Sequence, residues 1–203
     1  MKKKLSLILL LVAILGGIGF MVYQSQGVGT ILDAKGVKLY QHGFQLYEEQ
    51  IATYIKENYS GVSKIEFSPI FISGGDGHTM FTAKVVPVLY DNYGDKAYLG
   101  RSIGENDYGG YGLLGGLTVD FDGADEEVIE LTDLESGRTI DVSKEKHLPK
   151  EARLTYSSKI DENIEALVAD RQLKDIKKDQ AGSPQAKVSY NTEIKKGEHW
   201  KWH

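Results

Sequence analysis

Hydrophobic and polar positions follow three different patterns along this chain. The first has no polar phase: Leu5 to Tyr23 reads LSLILLLVAILGGIGFMVY, nineteen residues without a charge. That is close to the roughly 20 residues a helix needs to cross a bilayer core. Lys2, Lys3 and Lys4 precede it and should stay cytoplasmic, so that the chain after Tyr23 faces outward and Tyr23 rests at the outer interface. A cleaved signal peptide is the competing reading. Met21 to Gly27 shows no clear small-x-small cleavage pattern, and there is no cysteine to carry a lipid. The run is therefore read as a retained anchor over residues 1–23, followed by a small, polar, glycine-containing linker over 24–36.

The second pattern has the helical period. Tyr40, Phe44, Tyr47, Ile51, Tyr54, Ile55 and Tyr59 recur at three- and four-residue steps, which predicts an amphipathic helix over Val37 to Tyr59 with an aromatic stripe toward the core. Gly43 interrupts it at a cost of about 1 kcal/mol relative to alanine. Gly61 follows where a C-terminal cap belongs. A second helix is expected from Lys159 or Asp161 to Arg171, with Ile160, Ile164, Leu167 and Val168 on one face and Ser157 or Ser158 as its cap.

The third pattern alternates. Strands are expected over Ser63–Ser73, Thr79–Tyr90, Lys96–Arg101, Leu117–Phe121, Val128–Leu131, Arg138–Val142 and Ala186–Ile194. Pro69 and Pro87 should mark edges or irregularities. Turns are expected at Gly74–Gly77, Asp91–Asp95 and Glu135–Gly137. Gly100 to Gly116, with seven glycines and two tyrosines, is read as a flexible surface loop, with a set of close backbone approaches as the alternative. The fold predicted is α+β. After the N-terminal transmembrane helix, one helix packs on an antiparallel sheet of five to seven strands, with a second helix near 160–171, forming a single extracytoplasmic domain over 37–203.

Charge and composition narrow the function classes. The net charge is −5, and without Lys2, Lys3 and Lys4 the balance falls to −8. An acidic exposed part argues against nucleic acid, which requires basic patches. The absence of cysteine excludes disulfides, thiol catalysis and Cys-ligated zinc, and points an outward-facing domain to a bacterial cell envelope.

Candidate chemistry is sparse. Asp120 to Glu135 holds eight acids and no base. An EF-hand register from Asp120 puts Ala124 at position 5 and Asp125 at position 6, where an oxygen ligand and glycine are needed, so a solvated acidic turn is favoured over a calcium site. Gly74–Thr79 lacks the Lys-Ser/Thr of a phosphate loop. The histidines are His42, His78, His147, His199 and His203. Only His199 and His203 have a helical ligand spacing, with no obvious third ligand; Trp200 and Trp202 beside them should dock onto the domain, or contact a partner or membrane interface. No G-x-S-x-G elbow exists. No catalytic, cofactor-binding or metal-ligating residue is therefore named, and no cofactor is expected.

Residues 48–59 (EEQIATYIKENY), then Val62–Phe67, then Phe81–Ala83 resemble the conserved staphylococcal antigen type of tandem lipoprotein, a surface-anchored family of Gram-positive bacteria. The likeness covers a quarter to a third of the chain. It implies an envelope protein in which a helix leads into an antiparallel sheet, with no catalytic residues to carry over. The lipid-bearing cysteine of that family is absent here, so the resemblance implies a different mode of anchoring. The expected function is a membrane-tethered, extracytoplasmic binding module with a protein or cell-wall partner. The alternatives are an envelope enzyme acting on glycans through carboxylates and a calcium-stabilised adhesion domain.

Overall fold

The computed structural model describes residues 32–75 and 78–202. The Leu5–Tyr23 run and most of the 24–36 linker lie outside them. Among the described residues no helix is long and apolar enough to cross a membrane.

Helix α1 spans Ala34–Asn58. It starts three residues before the expected Val37 because Asp33 caps it: that residue is extended, and its carboxylate accepts from Gly36 N at 2.7 Å, satisfying one of the orphan donors of the first turn. Phe44, Tyr47, Ile51, Tyr54, Ile55 and Tyr59 of the predicted stripe are buried, and Tyr40 is half-buried, edge-on to Phe81. Leu39, Leu46, Glu48, Gln50 and Ala52 are buried too. At 100° per residue Leu39, Leu46, Gln50 and Ala52 lie off the stripe, so α1 buries more than one face, while Lys38, His42, Gln45, Glu49 and Lys56 remain half-buried or exposed.

Gly61 is not the helix cap. Tyr59 ends the helix in an extended conformation with its N–H on Ile55 O. Gly61 lies two residues on with φ +86, where an added Cβ would stand 2.2 Å from Asp175 O. A close backbone crossing, not helix termination, requires glycine there.

The chain then forms β1 (Tyr59–Ser60), β2 (Val62–Phe67), β3 (Ile70–Ser73), β4 (Thr82–Val85), β5 (Pro87–Asp91) and β6 (Lys96–Tyr98). β2 pairs with β5 and β3 with β4, both antiparallel, so these four are the halves of one long hairpin broken by a kink. The two prolines sit at that kink: Pro69 just before β3, and Pro87 opening β5 opposite Phe67. Buried Ser68 bridges it. Its N–H donates to Val86 O, and its hydroxyl accepts from Val86 N at 2.8 Å. The ladder bonds lost to the prolines are thus partly replaced, as buried backbone groups demand.

Short strands β7 (Ser102–Ile103), β8 (Asn106–Asp107) and β9 (Tyr111–Gly112) follow, then β10 (Leu117–Phe121), β11 (Glu127–Thr132) and β12 (Thr139–Asp141). The last three form an antiparallel sheet in which Val119 opposes Ile129 and Leu131 opposes Ile140. Helix α2 spans Ser158–Ala169, capped by the Ser157 side chain on Ile160 N; Ile160, Ile164 and Leu167 are buried. The chain ends with β13 (Lys177–Lys178), β14 (Lys187–Ser189) and β15 (Ile194–Lys196).

The fold is α+β, but the single antiparallel sheet of five to seven strands becomes several mostly antiparallel ones. The two largest have orders β14-β2-β5-β6 and β15-β3-β4-β9. The expected strand over Ala186–Ile194 is two strands, each pairing parallel, β14 with β2 and β15 with β3. Between them α1 catches the backbone: Asn191 N donates to Glu48 Oε2 at 3.0 Å, and the Gln41 amide donates to Thr192 O at 3.1 Å. A parallel partner for a strand near the start of the domain must come from far along the chain.

Candidate functional site

The aromatic stripe, the glycine-rich segment and the end of the acidic stretch meet in one place. Tyr47 of α1, then Tyr111, Gly115 and Gly116, then Thr132 to Glu135, line a cleft closed by Leu154, Tyr156 and the first turn of α2 from Ser157 to Ile160. The cleft encloses about 30 Å³, room for about one water and too little for a metabolite. At Lys159 it adjoins an open groove of about 760 Å³ along α2, lined by Asn106, Asp107, Tyr108, Glu162 and Glu165.

The glycine segment is built rather than loose. Tyr111 is buried and pairs with Val85, and Gly112 pairs with Lys84. At Gly112, with φ +149, a Cβ would stand 2.2 Å from Ala83 O. The Tyr47 hydroxyl donates to Gly115 O at 2.8 Å. From Gly110 to Gly116 the segment is therefore a set of close backbone approaches, while Gly104 and Gly109 have open space around them. The Tyr111 hydroxyl is buried with no hydrogen-bond partner among the described residues, and burial pushes its proton affinity well above the ordinary phenol value.

Lys159 is the cation of the site. Its Nζ donates to Gly110 O at 2.7 Å and lies 4.5 Å from the centre of the Tyr111 ring. No carboxylate within the described residues forms an ion pair with it. Burial, with nearby Lys84, pulls its pKa down to about 8. A lysine whose charge is only partly desolvated, and only partly compensated by a carbonyl and a ring face, is poised to take an external negative charge.

The carboxylates of the cleft are already engaged. Asp133 accepts from the Ser136 hydroxyl at 2.8 Å and from Glu135 N at 3.0 Å. Burial raises its pKa, but these bonds outweigh burial and hold it below the usual aspartate value, opposite to what a general acid needs. Glu135 accepts from the N–H and hydroxyl of Ser158 at the start of α2. In the acidic turn, Asp122 accepts from Ala124 N and Glu126 N, both at 2.8 Å. Among the described residues no group of three or more His, Asp or Glu side chains is placed to hold a metal ion.

The other residues singled out from the sequence are dispersed. His42 contacts Glu145 O at 2.7 Å and His147 contacts Glu49 at 3.0 Å, both holding loops against α1. His78 is exposed. Asp76, Gly77 and His203 lie outside the described residues. His199 is on a short 3₁₀ turn over His199–Lys201. Its ring packs against Trp200 and comes 3.0 Å from where a Cβ on Gly110 would lie. Burial, then Lys84 and Arg101, pull its pKa down to about 4, partly opposed by Asp107. Trp202 docks edge-on over Tyr98 and its carbonyl accepts from Arg101, while Trp200 stays 54% exposed.

Compared with known proteins, the chain matches no family model, no curated protein and no solved structure. Sequence reasoning missed Lys159 and Lys84. Lys159 stands in the first turn of α2 like any solvated helix lysine, and Lys84 alternates outward from β4 like any strand lysine. No local signal distinguishes either.

Proposed function

We propose that this protein is a membrane-tethered, extracytoplasmic binding module of a bacterial cell envelope, held by the Leu5–Tyr23 segment and taking its ligand at the face around Lys159. The observation that supports a binding role is the Lys159 ammonium. It stands at the junction of the cleft and the groove, bonded to a carbonyl oxygen and, among the described residues, to no carboxylate. The cleft carboxylates are bound to donors of their own loops, which leaves none poised as a proton donor for glycan hydrolysis. The tether reading is supported by the uninterrupted apolar run behind three lysines.

The test uses the full chain. Protease added outside intact cells should cleave it, and the purified full chain should retain envelope material that Lys159→Met releases. Protection from external protease overturns the tethered reading. Hydrolysis of wall glycan by the full chain, unaffected by Lys159→Met, overturns the binding reading.

A further inference from the structure

Three basic side chains from three distant parts of the chain close on one glycine. The Lys84 side chain runs over Gly110, its Cδ 2.9 Å and its Cε 3.4 Å from where a Cβ on that glycine would lie. The His199 Nε2 is 3.0 Å from the same point. Lys159 Nζ reaches Gly110 O at 2.7 Å, which leaves two of its N–H groups undirected. No ion pair within the described residues involves Lys84, Lys159 or His199. The mutual repulsion is felt: Lys84 lowers the proton affinity of both Lys159 and His199, after burial.

Concentrating basic groups here works against stability in a chain that is acidic overall and has 29 carboxylates with which to pair them. The arrangement becomes favourable once an anion sits among them. Point-charge donors arriving from several directions suit a multi-oxygen anion better than a planar carboxylate, which a single arginine fork matches. The glycine has a reason as well: any side chain at position 110 would displace Lys84 and His199.

We propose that Lys84, Lys159 and the His199 ring, gathered around Gly110, form a binding site for a phosphate-class oxyanion. This rests on the binding reading above and names its ligand class. The anion is either free phosphate or the phosphomonoester end of a larger molecule.

The experiment titrates the full chain in detergent with inorganic phosphate, glycerol phosphate and, at matched ionic strength, sodium chloride. Thermal midpoint and the His199 ring proton signals are followed. Phosphate should raise the midpoint and raise the His199 pKa, against the opposing field of Lys84 and Arg101 and with that of Asp107. Lys84→Gln and Lys159→Gln should each weaken phosphate binding by about tenfold, the loss of one partly screened charge contact. Gly110→Ala should weaken it with no change of charge, while Lys187→Gln, on β14, should leave it unchanged. Tighter binding of glycerol phosphate assigns the esterified source and tighter binding of inorganic phosphate the free one, and both support the oxyanion class. An equal response to chloride, or phosphate binding indifferent to both lysine variants, overturns the proposal. If phosphate fails while Lys159→Met still releases envelope material, the oxyanion is wrong and the binding reading stands. If neither responds, both fall.

Discussion

Gly43 sits in the middle of α1, where helix propensity alone favours alanine by about 1 kcal/mol. The structure reverses that expectation. A Cβ at position 43 would stand 2.8 Å from Val119 Cγ2 and 3.5 Å from Ile129 Cγ2, where carbon–carbon contact is best at about 3.5–4.0 Å. Val119 cannot turn aside cheaply, because a β-branched side chain has few rotamers and its backbone is locked in register opposite Ile129. Overpacking of this kind costs about 1–3 kcal/mol. Set against the propensity gain, Gly43→Ala should destabilise the protein by about 0–2 kcal/mol, lowering the thermal midpoint by up to about 8 °C for a domain of this size. Val119→Ala alone should cost about 2 kcal/mol through lost burial and a residual cavity. In the double variant the new methyl occupies the space the valine gave up, so the two changes should cost about 1–2 kcal/mol less than their sum. Denaturant unfolding of the full chain in detergent, followed by near-UV circular dichroism, measures all four corners of the cycle. A Gly43→Ala protein more stable than the parent, or a coupling energy near zero, would refute close packing of α1 on β10.

Three further outcomes are expected. Asp161 is buried and accepts from the hydroxyls of Tyr54 at 2.9 Å and Tyr59 at 2.6 Å, and from Lys178; Asp161→Ala strands two buried hydroxyls and should cost about 3 kcal/mol, read from the urea midpoint, with a loss below about 1 kcal/mol counting against the network. Glu48 is fully buried with Oε1 unpartnered among the described residues, and burial, only partly offset by Asn191 N, lifts its pKa well above 4.5. An acid with a raised folded pKa contributes stability that is complete below the unfolded value and is lost as pH rises toward the folded one. Glu48→Gln should therefore match the parent below about pH 4 and exceed it in thermal midpoint at neutral pH, and a variant equally destabilised at every pH would contradict the burial argument. Lys159 should titrate near about 8 in NMR spectra of ¹³C-methylated protein and move upward in Lys84→Gln. Because its folded pKa is lowered, its stability contribution is complete above about 10.5 and is lost as pH falls toward about 8. A Lys159 signal titrating with the surface lysines would overturn its burial, and one unmoved by Lys84→Gln would remove Lys84 as its neighbour.

What was legible in the sequence is what neighbouring residues specify among themselves. The stripe from Phe44 to Tyr59, the Ser157 cap and the β10–β11 hairpin follow from spacing over a few positions, and they stand where expected. The prolines were readable as irregularities, but not as the flanks of a shared kink, because nothing local says that Pro69 and Pro87 face each other across a ladder. The parallel pairing of β14 and β15 was illegible for a related reason. Alternation over Ala186–Ile194 looks the same whichever way the partner runs, and the partner lies more than a hundred residues earlier. Glu48 stands one turn from Phe44 and Ile51, on the stripe side of α1, so its position places it in the core although its charge alone suggests a solvated residue.

The candidate site is the extreme case of that non-locality. Lys84 comes from β4, Gly110 from the segment before β9, Lys159 from the first turn of α2 and His199 from the turn after β15. Each is ordinary in its own neighbourhood, and only the folded chain makes them a cluster. A tether would bear on what such a site can reach. With Asp33 capping α1 and the apolar run ending at Tyr23, about ten residues separate that run from the first helix, a covalent reach of at most about 35 Å. On the tethered reading the domain stays within about one domain diameter of the membrane. A ligand for Lys84, Lys159 and His199 must then be found close to the outer membrane face, and a phosphate-class oxyanion displayed there would meet the site at a high effective concentration. Lengthening the linker should weaken retention of such a surface-borne ligand and leave binding of free phosphate untouched.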